Sequence, residues 1–577
     1  MTNADIASTL EHIAQILNLR GENPFRIRAY ERAAQTILSM GEELKTVFAD
    51  GGQKALLDIP NIGQDLAMKI EEMVTTGKLK YVEEIEKDFP KGLLEIMEIS
   101  GMGPKKTKFV WETFDVKTIA ELETLAKSDK LLELKGWGEK SVQNILSGIA
   151  AKNAQGGRTA LPTALVIAQQ LQSLLRETGL CEKIEIAGSV RRRKESIGDI
   201  DILVASKKPQ QVMDVFCAAE GVTEILAKGE TKSSVRIHGA LQVDLRVVSL
   251  DVFGAALLYF TGSKDHNVLL RQLGIKNGLT INEYGIHEGT AADKGKLLAS
   301  KTEEDMYRAV GLPYIEPELR EARGEIDAAM RQELPTLITE KDLRGDLHMH
   351  SNFSDGSATM IDMAKAAKEA GHEYIAITDH GSPMGMVYGI KETNIAEYLE
   401  KIEEARKAVP GIHILAGTEV DILEDGSLYL PDSVLKQLDW VVVSVHGHFN
   451  MSPEATTKRI LTAFENPYVN LFAHPTSRLL LKRDPIIYDM DAVMKVAAKK
   501  GIAMEINASI GRLDLNDIHA KRAKELGVML TIDSDAHHAR ELDYRFGITQ
   551  ARRVWVEKKD VLNTKTWKEL EKWLKKI

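Results

Sequence analysis

Cysteine is almost missing from this chain, with Cys181 and Cys217 the only two in 577 residues. Two thiols build neither a disulfide framework nor a cysteine-rich zinc site, and they fit a reducing compartment such as the cytoplasm. Long apolar runs are missing as well. No stretch of about 18 apolar residues is available to cross a bilayer, so no membrane association is expected. The opening segment, "MTNADIASTLEHIAQILNLRG", is broken by charge where a secretory signal would have a continuous apolar core. A basic surplus is lacking too: the formal net charge is −10 and neither half of the chain is basic. Bulk charge makes no case for nucleic acid, so local clusters must carry one.

The chain is too long for one core, since single cores stop growing near about 250–300 residues. Its texture changes along its length. Residues 1–150 read as short helices punctuated by glycine. Residues 160–255 mix helices with strands such as "KIEIAGSV", "GDIDILVAS" and "LQVDLRVVSL", and a smaller mixed segment follows. The charged run at 315–335, "IEPELREARGEIDAAMRQELP", is a candidate linker, with a solvated helix as its plainer reading. From about 341 onward, short apolar strands alternate with helical patterns, which predicts a parallel sheet closed into a barrel.

Three segments of the first region share a pattern: "LDIPNIGQDLAMKI" (57–70), "MEISGMGPKKTKFV" (97–110) and "LELKGWGEKSVQNI" (132–145). Each has an apolar turn, a glycine-bounded hairpin (Gly63; Gly101 and Gly103; Gly136 and Gly138) and then a helix. Such a turn aims helix N-terminal amides outward, where they bind phosphate oxygens without reading base sequence. Lys105, Lys106, Lys108 and Lys140 add local positive charge. One hairpin of this kind is commonly only a tight connection, but three favour a DNA backbone. They resemble helix-hairpin-helix motifs, with Asn61 in the first where glycine is usual.

"GSVRRRKESIGDIDIL" (188–203) places Asp199 and Asp201 two apart on a predicted strand, so both carboxylates face one way. Crowded carboxylates repel unless a cation neutralises them. Asp244, in "LQVDLRVV", is a third on another strand, with Val243 and Leu245 facing the opposite side. Three carboxylates on adjacent strands can hold two divalent ions, and the flanking glycine, serine and arginines suit a triphosphate.

Together with "YFTGSKDHN" and "INEYGIH", these motifs resemble the catalytic portion of family X DNA polymerases, the polymerase beta group, from the amino terminus to about residue 318. The resemblance implies that Asp199, Asp201 and Asp244 hold two Mg2+ or Mn2+ ions, with Asp244 also placed to deprotonate a primer 3′-hydroxyl. It implies that Ser189, Arg192 and Gly198 hold the β- and γ-phosphates of a deoxynucleoside triphosphate. Tyr259 and Phe260, followed by Gly262, would lie against the sugar, and Asn267 and Arg271 would reach the minor-groove edge and the template. Lys264, Asp265 and His266 depart from the family pattern. "NPFRIRAYERAAQTI" and the segment after it resemble the family's lyase domain, with Lys69 at the Schiff-base position, Arg26, Tyr30 and Lys80 as partners, and Asp65 where the family has lysine.

"GDLHMHSNFSDG" (345–356) puts His348 and His350 on one face of a strand with Asp355 behind them. "ITDH", "GTEVDI", "SVHG", "AHP" and "DSDAH" follow at later strand ends, adding His380, Glu419, His446, His474, Asp535 and His537. Barrels build their sites at the carboxyl ends of their strands. Nine nitrogen and oxygen donors on one rim suit zinc, manganese or iron, and can hold three ions. The set resembles the polymerase and histidinol phosphatase (PHP) domain over residues 341 to about 560. By that resemblance up to three Zn2+ or Mn2+ ions would bind: one at His348, His350, Glu419 and Asp535, one at Glu419, His446 and His474, and one at Asp355, His380 and His537. The implied chemistry is phosphate-ester hydrolysis. Arg478, Arg483 and His538 are weaker candidates for phosphate contact, and His448 is not expected to be a ligand.

The expected architecture is multidomain α/β. A lyase-like helix-hairpin-helix domain (1–90) precedes a fingers-like helix-hairpin-helix domain (91–155), a nucleotidyltransferase palm (156–255), a thumb (256–318), a linker (319–340) and a distorted (β/α)7-type PHP barrel (341–577). The expected function is gap filling on gapped or primer-template DNA in base-excision repair, by a monomer, with the barrel acting as a 3′–5′ exonuclease, abasic-site endonuclease or 3′-phosphatase. Two alternatives stay open: nucleotidyl transfer to a small molecule or tRNA, and a DNA-binding polymerase whose barrel is only structural.

Overall fold

A computed structural model describes residues 1–577 except 2, 40–42, 88, 91, 98, 100, 132, 133, 135, 136, 156, 239, 240, 291, 292, 384–388 and 575–577. The chain forms two compact units, residues 1–156 and 157–577. Among the described residues no helix is long and apolar enough to cross a membrane.

The first unit is helical. Its opening helix, Asn3–Arg20, buries Ile6, Leu10, Ile13 and Leu17, the 3.6-residue stripe of an amphipathic helix. Each hairpin leads into a helix: Gln64–Thr76 after Gly63, Pro104–Phe114 after Gly103, and Glu139–Gln155 after Gly138. Gly101 takes φ +86°, and Asn61 takes φ +63°. Asparagine tolerates that left-handed geometry, so the departure from glycine keeps the hairpin. Gly136 lies outside the described residues.

The second unit begins with a five-stranded sheet of β1 (Lys183–Ile186), β2 (Asp199–Ala205), β3 (Val222–Lys228), β4 (Lys232–Ile237) and β5 (Leu241–Val248), in spatial order β1-β2-β5-β4-β3. Only the β2–β5 pair is parallel, and its register sets Asp201 opposite Asp244. Val243 and Leu245 point into the core that helices Leu161–Glu177 and Pro209–Cys217 cover. The next module packs three helices on the antiparallel strands β6 (Leu279–Asn282), β7 (Gly285–Gly289) and β8 (Lys294–Ala299).

Residues 315–335 correct the expectation of a solvated linker. They form a 3-10 turn at Pro317–Leu319 and a short helix at Glu325–Met330, with Arg320 and Glu325 fully buried. Arg320 lies over the rings of Tyr307 and Tyr314 and bonds Glu303 at 2.5 Å. Glu325 bonds His266 at 2.6 Å. Two of the charges that suggest solvent exposure are thus spent on internal partners, while Glu316, Asp327, Arg331 and Glu333 do face solvent.

The last module is a nearly closed barrel of parallel strands: β9 (Gly345–Met349), β10 (Tyr374–Ile377), β11 (His413–Asp421), β12 (Trp440–Ser444), β13 (Leu471–Phe472), β14 (Ala503–Asn507) and β15 (Leu530–Asp533), ordered β9 to β15 in sequence. Closure falls between β9 and β15. At the carboxyl end Met349 bridges Ala536, and Asp535 N donates to His348 O at 3.0 Å. Below, buried Asn563 donates to Gly345 O at 2.9 Å and Ile532 O at 2.7 Å, and accepts from Ile532 N at 3.1 Å. Asn563→Ala strands these buried groups and is expected to cost about 3 kcal/mol, read as a lowered midpoint in urea unfolding, whereas an exposed Lys436→Ala control should shift nothing.

Candidate active sites

The palm-like sheet gathers its acids through register. Asp199 and Gly198 are exposed, Asp201 is half-buried and Asp244 is buried. Gly188 opens the short helical turn Gly188–Arg191 at φ +60°, and a Cβ there would strike the Asp201 carboxylate. Burial first, then the charges of Asp199 and Asp244, push the Asp201 carboxyl up to about 7. Burial also works to raise Asp244, but hydrogen bonds from Lys232, Gln242 and Ser234 outweigh it and hold that carboxyl below its usual value. Lys232 Nζ stands 2.7 Å from Asp244. Three acids that keep one of their number near half protonation at neutral pH are short of positive charge, which is the condition divalent ions relieve. Ser189 Oγ is buried without a hydrogen-bond partner beside this cluster in sequence.

Other expected nucleotide residues cluster in the neighbouring module. Tyr259, Asn267 and Arg271 line one shallow cleft. Asn267 donates to Tyr259 O at 2.8 Å, and the Tyr259 and Phe260 rings meet edge to face at 5.1 Å. Gly262 lies against Arg192, whose Nε is 3.0 Å from Glu321. His266 does not face this cleft: it is fully buried between Glu325 and Tyr307.

In the first unit Lys69 is ion-paired with Asp65, and its Nζ lies 4.9 Å from the centre of the Tyr81 ring. Arg26 donates to Tyr81 OH at 2.9 Å. Lys105 is exposed at its helix start, while Lys106 bonds Ser141 and Lys108 bonds Arg20 O. The side chain of Lys140 lies outside the described residues.

At the barrel's carboxyl end all nine expected donors converge. His350, Asp355, His380 and His537 form one group with ligand atoms within 4.8 Å of one another. His348, Glu419 and His474 form a second, His348, His350 and Asp535 a third, and His380, Glu419 and His446 a fourth. Glu419, 1% exposed, lies 2.8 Å from His474, 3.1 Å from His380, 3.3 Å from His446 and 3.4 Å from His348. Burial would raise its carboxyl, yet His446, His380 and His348 hold it far below. Burial drives His350 and His474 down to about 3. Burial also opposes protonation of His446, but Glu419 and Asp421 raise it to about 10. His350 Nδ1 and His474 Nδ1 are buried with no hydrogen-bond partner. Imidazoles interleaved with carboxylates are the donor set that zinc or manganese takes, and a bound cation would supply the positive charge that protonated His446 otherwise brings to Glu419. His474 (φ +27°) and Asp535 (φ +54°) hold strained backbone, a cost that clusters at functional sites.

Several contributors escape sequence reasoning. Glu505, fully buried on β14, is 2.7 Å from His348 Nδ1 and accepts from His474 N at 2.6 Å. Asp421 is 2.7 Å from His446 Nδ1. Asp379 accepts from Ser351 N at 2.8 Å and from Ser354 Oγ at 2.6 Å, fixing the loop behind the two histidines. Such acids orient ligand imidazoles. A signal existed for Asp421, two residues beyond Glu419 on one strand and so on its face. Arg512 Nε lies 3.3 Å from Asp535 with Nη1 buried and unpartnered. Of the weaker phosphate candidates, Arg478 is engaged by Glu195 at 2.7 Å and Arg483 by Ser477 O at 2.6 Å. His448 is exposed beside Glu424, away from the ligand set.

A polymerase-beta-type palm and thumb on one chain with helix-hairpin-helix modules and a metal-binding barrel define a nucleic-acid-processing class. Family models agree: a helix-hairpin-helix domain matches 1–79, a SAM-like helix-hairpin-helix tandem 93–151, the DNA polymerase beta thumb 256–321 and the PHP domain 346–509. The chain is 33% identical over 579 residues to the DNA polymerase/3′-5′ exonuclease PolX of Bacillus subtilis (strain 168), covering 100% of both. It is also 27% identical to DNA polymerase lambda of Rattus norvegicus over 55% of this chain and 56% of that one. A probable phosphatase of Thermoanaerobacter sp. (strain X514) is 37% identical over 33% of this chain and 78% of its own. The chain belongs to the family X DNA polymerases that carry a PHP domain.

Glu505→Gln keeps the shape of the residue but weakens its hold on His348. Loss of an orienting partner of this kind typically costs 10- to 100-fold in metal affinity, so roughly that loss of zinc or manganese affinity is expected in competition with a chelator. Undiminished affinity would remove Glu505 from the site.

Proposed function

We propose that this chain fills short gaps in DNA, in the setting of base-excision repair, by nucleotidyl transfer in the palm, and processes 3′ ends by phosphodiester hydrolysis in the barrel. The observation that supports this most directly is the pairing of two separate acid-rich centres in one chain, Asp201 opposite Asp244 in the sheet and a rim of nine donors, Glu419 among them, in the barrel. Bound divalent ions, two magnesium or manganese in the palm and up to three zinc or manganese in the barrel, would neutralise charge at phosphorus and raise the acidity of the attacking oxygen.

In the palm, Ser189, Arg192 and the backbone at Gly198 take the triphosphate, Asp199, Asp201 and Asp244 would hold the divalent cations, and Asp244 is also placed to receive the proton of the primer 3′-hydroxyl. Tyr259 and Phe260 bound the sugar, while Asn267 and Arg271 read the position of base and template. The hairpins at Gly63, Gly101, Gly103 and Gly138 grip the DNA backbone, with Lys105 free to pair with phosphate. In the barrel, the histidines and acids of the rim hold the cations, and Arg512 offers its unpartnered Nη1 to a non-bridging phosphate oxygen. Among end-processing reactions, 3′–5′ exonuclease action has the added support of the name of the Bacillus relative; hydrolysis at an abasic site or of a 3′-phosphate needs the same groups. Schiff-base chemistry at Lys69 lacks such support, because its Nζ is bonded to Asp65. A DNA substrate inside the cell fits a cytoplasmic protein.

The experiment uses a gapped duplex labelled at the primer 5′ end, with manganese and with or without nucleotides. Asp199→Ala should abolish extension and leave shortening, while His348→Ala should abolish shortening and leave extension. Shortening that survives His348→Ala with a folded protein would make the barrel's metals structural and overturn its catalytic assignment.

A further inference from the structure

The palm-like sheet and the barrel share the second unit, and their contact is ionic where it meets the loop preceding Asp199. Arg553, at the end of the barrel-side helix Arg545–Arg553, is 1% exposed. Its Nη1 donates to the backbone carbonyl of Arg192 at 2.6 Å and to Glu321 Oε1 at 3.0 Å, and its Nη2 donates to Asp517 at 2.8 Å. That same Glu321 oxygen accepts from Arg192 Nε at 3.0 Å. One carboxylate is therefore shared by an arginine of the palm and an arginine of the barrel. The far end of the loop is held similarly, by Glu195 in a two-bonded pair with Arg478 at 2.9 and 2.7 Å, four residues beyond His474.

We propose that Arg553 is a positioning residue for nucleotide binding, through which the barrel sets where Arg192 stands in the palm. The inference rests on the assignment of Arg192 to the incoming triphosphate. While Arg553 is present, the charge of Glu321 is divided between two guanidinium groups, and Arg192 is held without being fully neutralised. Without Arg553 the whole carboxylate charge falls on Arg192 and competes with the triphosphate. The Arg192 carbonyl also loses its donor, beside a residue, Arg193, that the turn holds at φ +58°. Both effects weaken nucleotide binding and leave the chemical step alone.

The test measures KM and kcat for the incoming nucleotide, and the rate of 3′ shortening, on gapped duplex with the full chain. Arg553→Met is expected to raise KM roughly tenfold, the scale of one lost charge-assisted hydrogen bond, with kcat and shortening unchanged. Arg553→Lys, which keeps the charge but not the planar fork, should fall between. Combining Arg553→Met with Glu321→Gln should raise KM by clearly less than the product of the two single effects, because the competing charge is gone and only the lost donor to the Arg192 carbonyl remains. An unchanged KM in Arg553→Met, additive effects in the double variant, or a parallel fall of kcat and shortening in Arg553→Lys would each overturn the proposal. Asp199→Ala separates the two readings. Extension that survives it removes the palm assignment and this inference together, whereas extension lost in Asp199→Ala with KM unchanged in Arg553→Met removes the coupling alone.

Discussion

A carboxylate withdrawn from water needs positive partners or a proton, and Glu419 is where the barrel meets that demand most severely. It is 1% exposed, with four imidazoles at 2.8 to 3.4 Å. Every one of those histidines sits at the end of a different strand, so their approach to a common point requires the strands to close. Closure in turn depends on parallel register from β9 to β15 and on Asn563 stitching the two end strands beneath the site. The fold and the charge cluster are thus one arrangement: the barrel brings donors together that repel or attract too strongly to be left apart or uncompensated. A shell of further acids, Glu505 and Asp421 foremost, decides which ring nitrogen faces inward.

The palm meets the same constraint with fewer groups. Two parallel strands set Asp201 against Asp244, and glycine at 188 lets the backbone approach where any side chain would collide. Here the compensation is incomplete: Lys232 bonds Asp244, but its charge and that of Arg246 do not offset what burial and the neighbouring carboxylates do to Asp201, which is pushed up to about 7. The barrel cluster is balanced internally by its histidines and the palm cluster is not. That difference accords with the ligand chemistry of each: imidazole-rich sites hold transition metals tightly, and carboxylate sites take magnesium or manganese along with the phosphates of a substrate.

Much of this was legible in the sequence because period and motif coincide. "HMH" and "DID" place donors two apart on strands, and each barrel ligand follows a short apolar run, so both strand and site could be assigned from the same residues. What stayed hidden has long-range causes. Glu505 lies in "AMEIN", which reads as another core strand; only the approach of β9 gives its carboxylate a histidine. Residues 315–335 carry the charge density of a solvated helix, yet Arg320 and Glu325 are buried because Glu303, Tyr307 and His266 wait for them. Arg478 was legible as a cation near a ligand histidine, but its partner Glu195 is 283 residues away. Local pattern specifies which side chains are charged; it does not specify which distant charge they meet.

The same reasoning explains why the two centres are joined by arginine rather than by apolar contact alone. Leu480 and Leu513, from barrel loops, do pack into the palm core, and they hold the modules together. Apolar packing, however, tolerates sliding and repacking, whereas a guanidinium with three acceptors has one place to stand. Buried ion pairs are poor devices for stability, since desolvation offsets much of their attraction, but they are good devices for fixing position. Arg478 and Arg553 bond the two ends of the loop that leads into Asp199, the segment proposed to take the triphosphate. Ionic contacts fix this loop, and further ion pairs such as Arg552–Glu318 and Arg323–Asp517 tie residues 318–323 to the barrel side, so the barrel holds the position of its neighbour as well as supporting it.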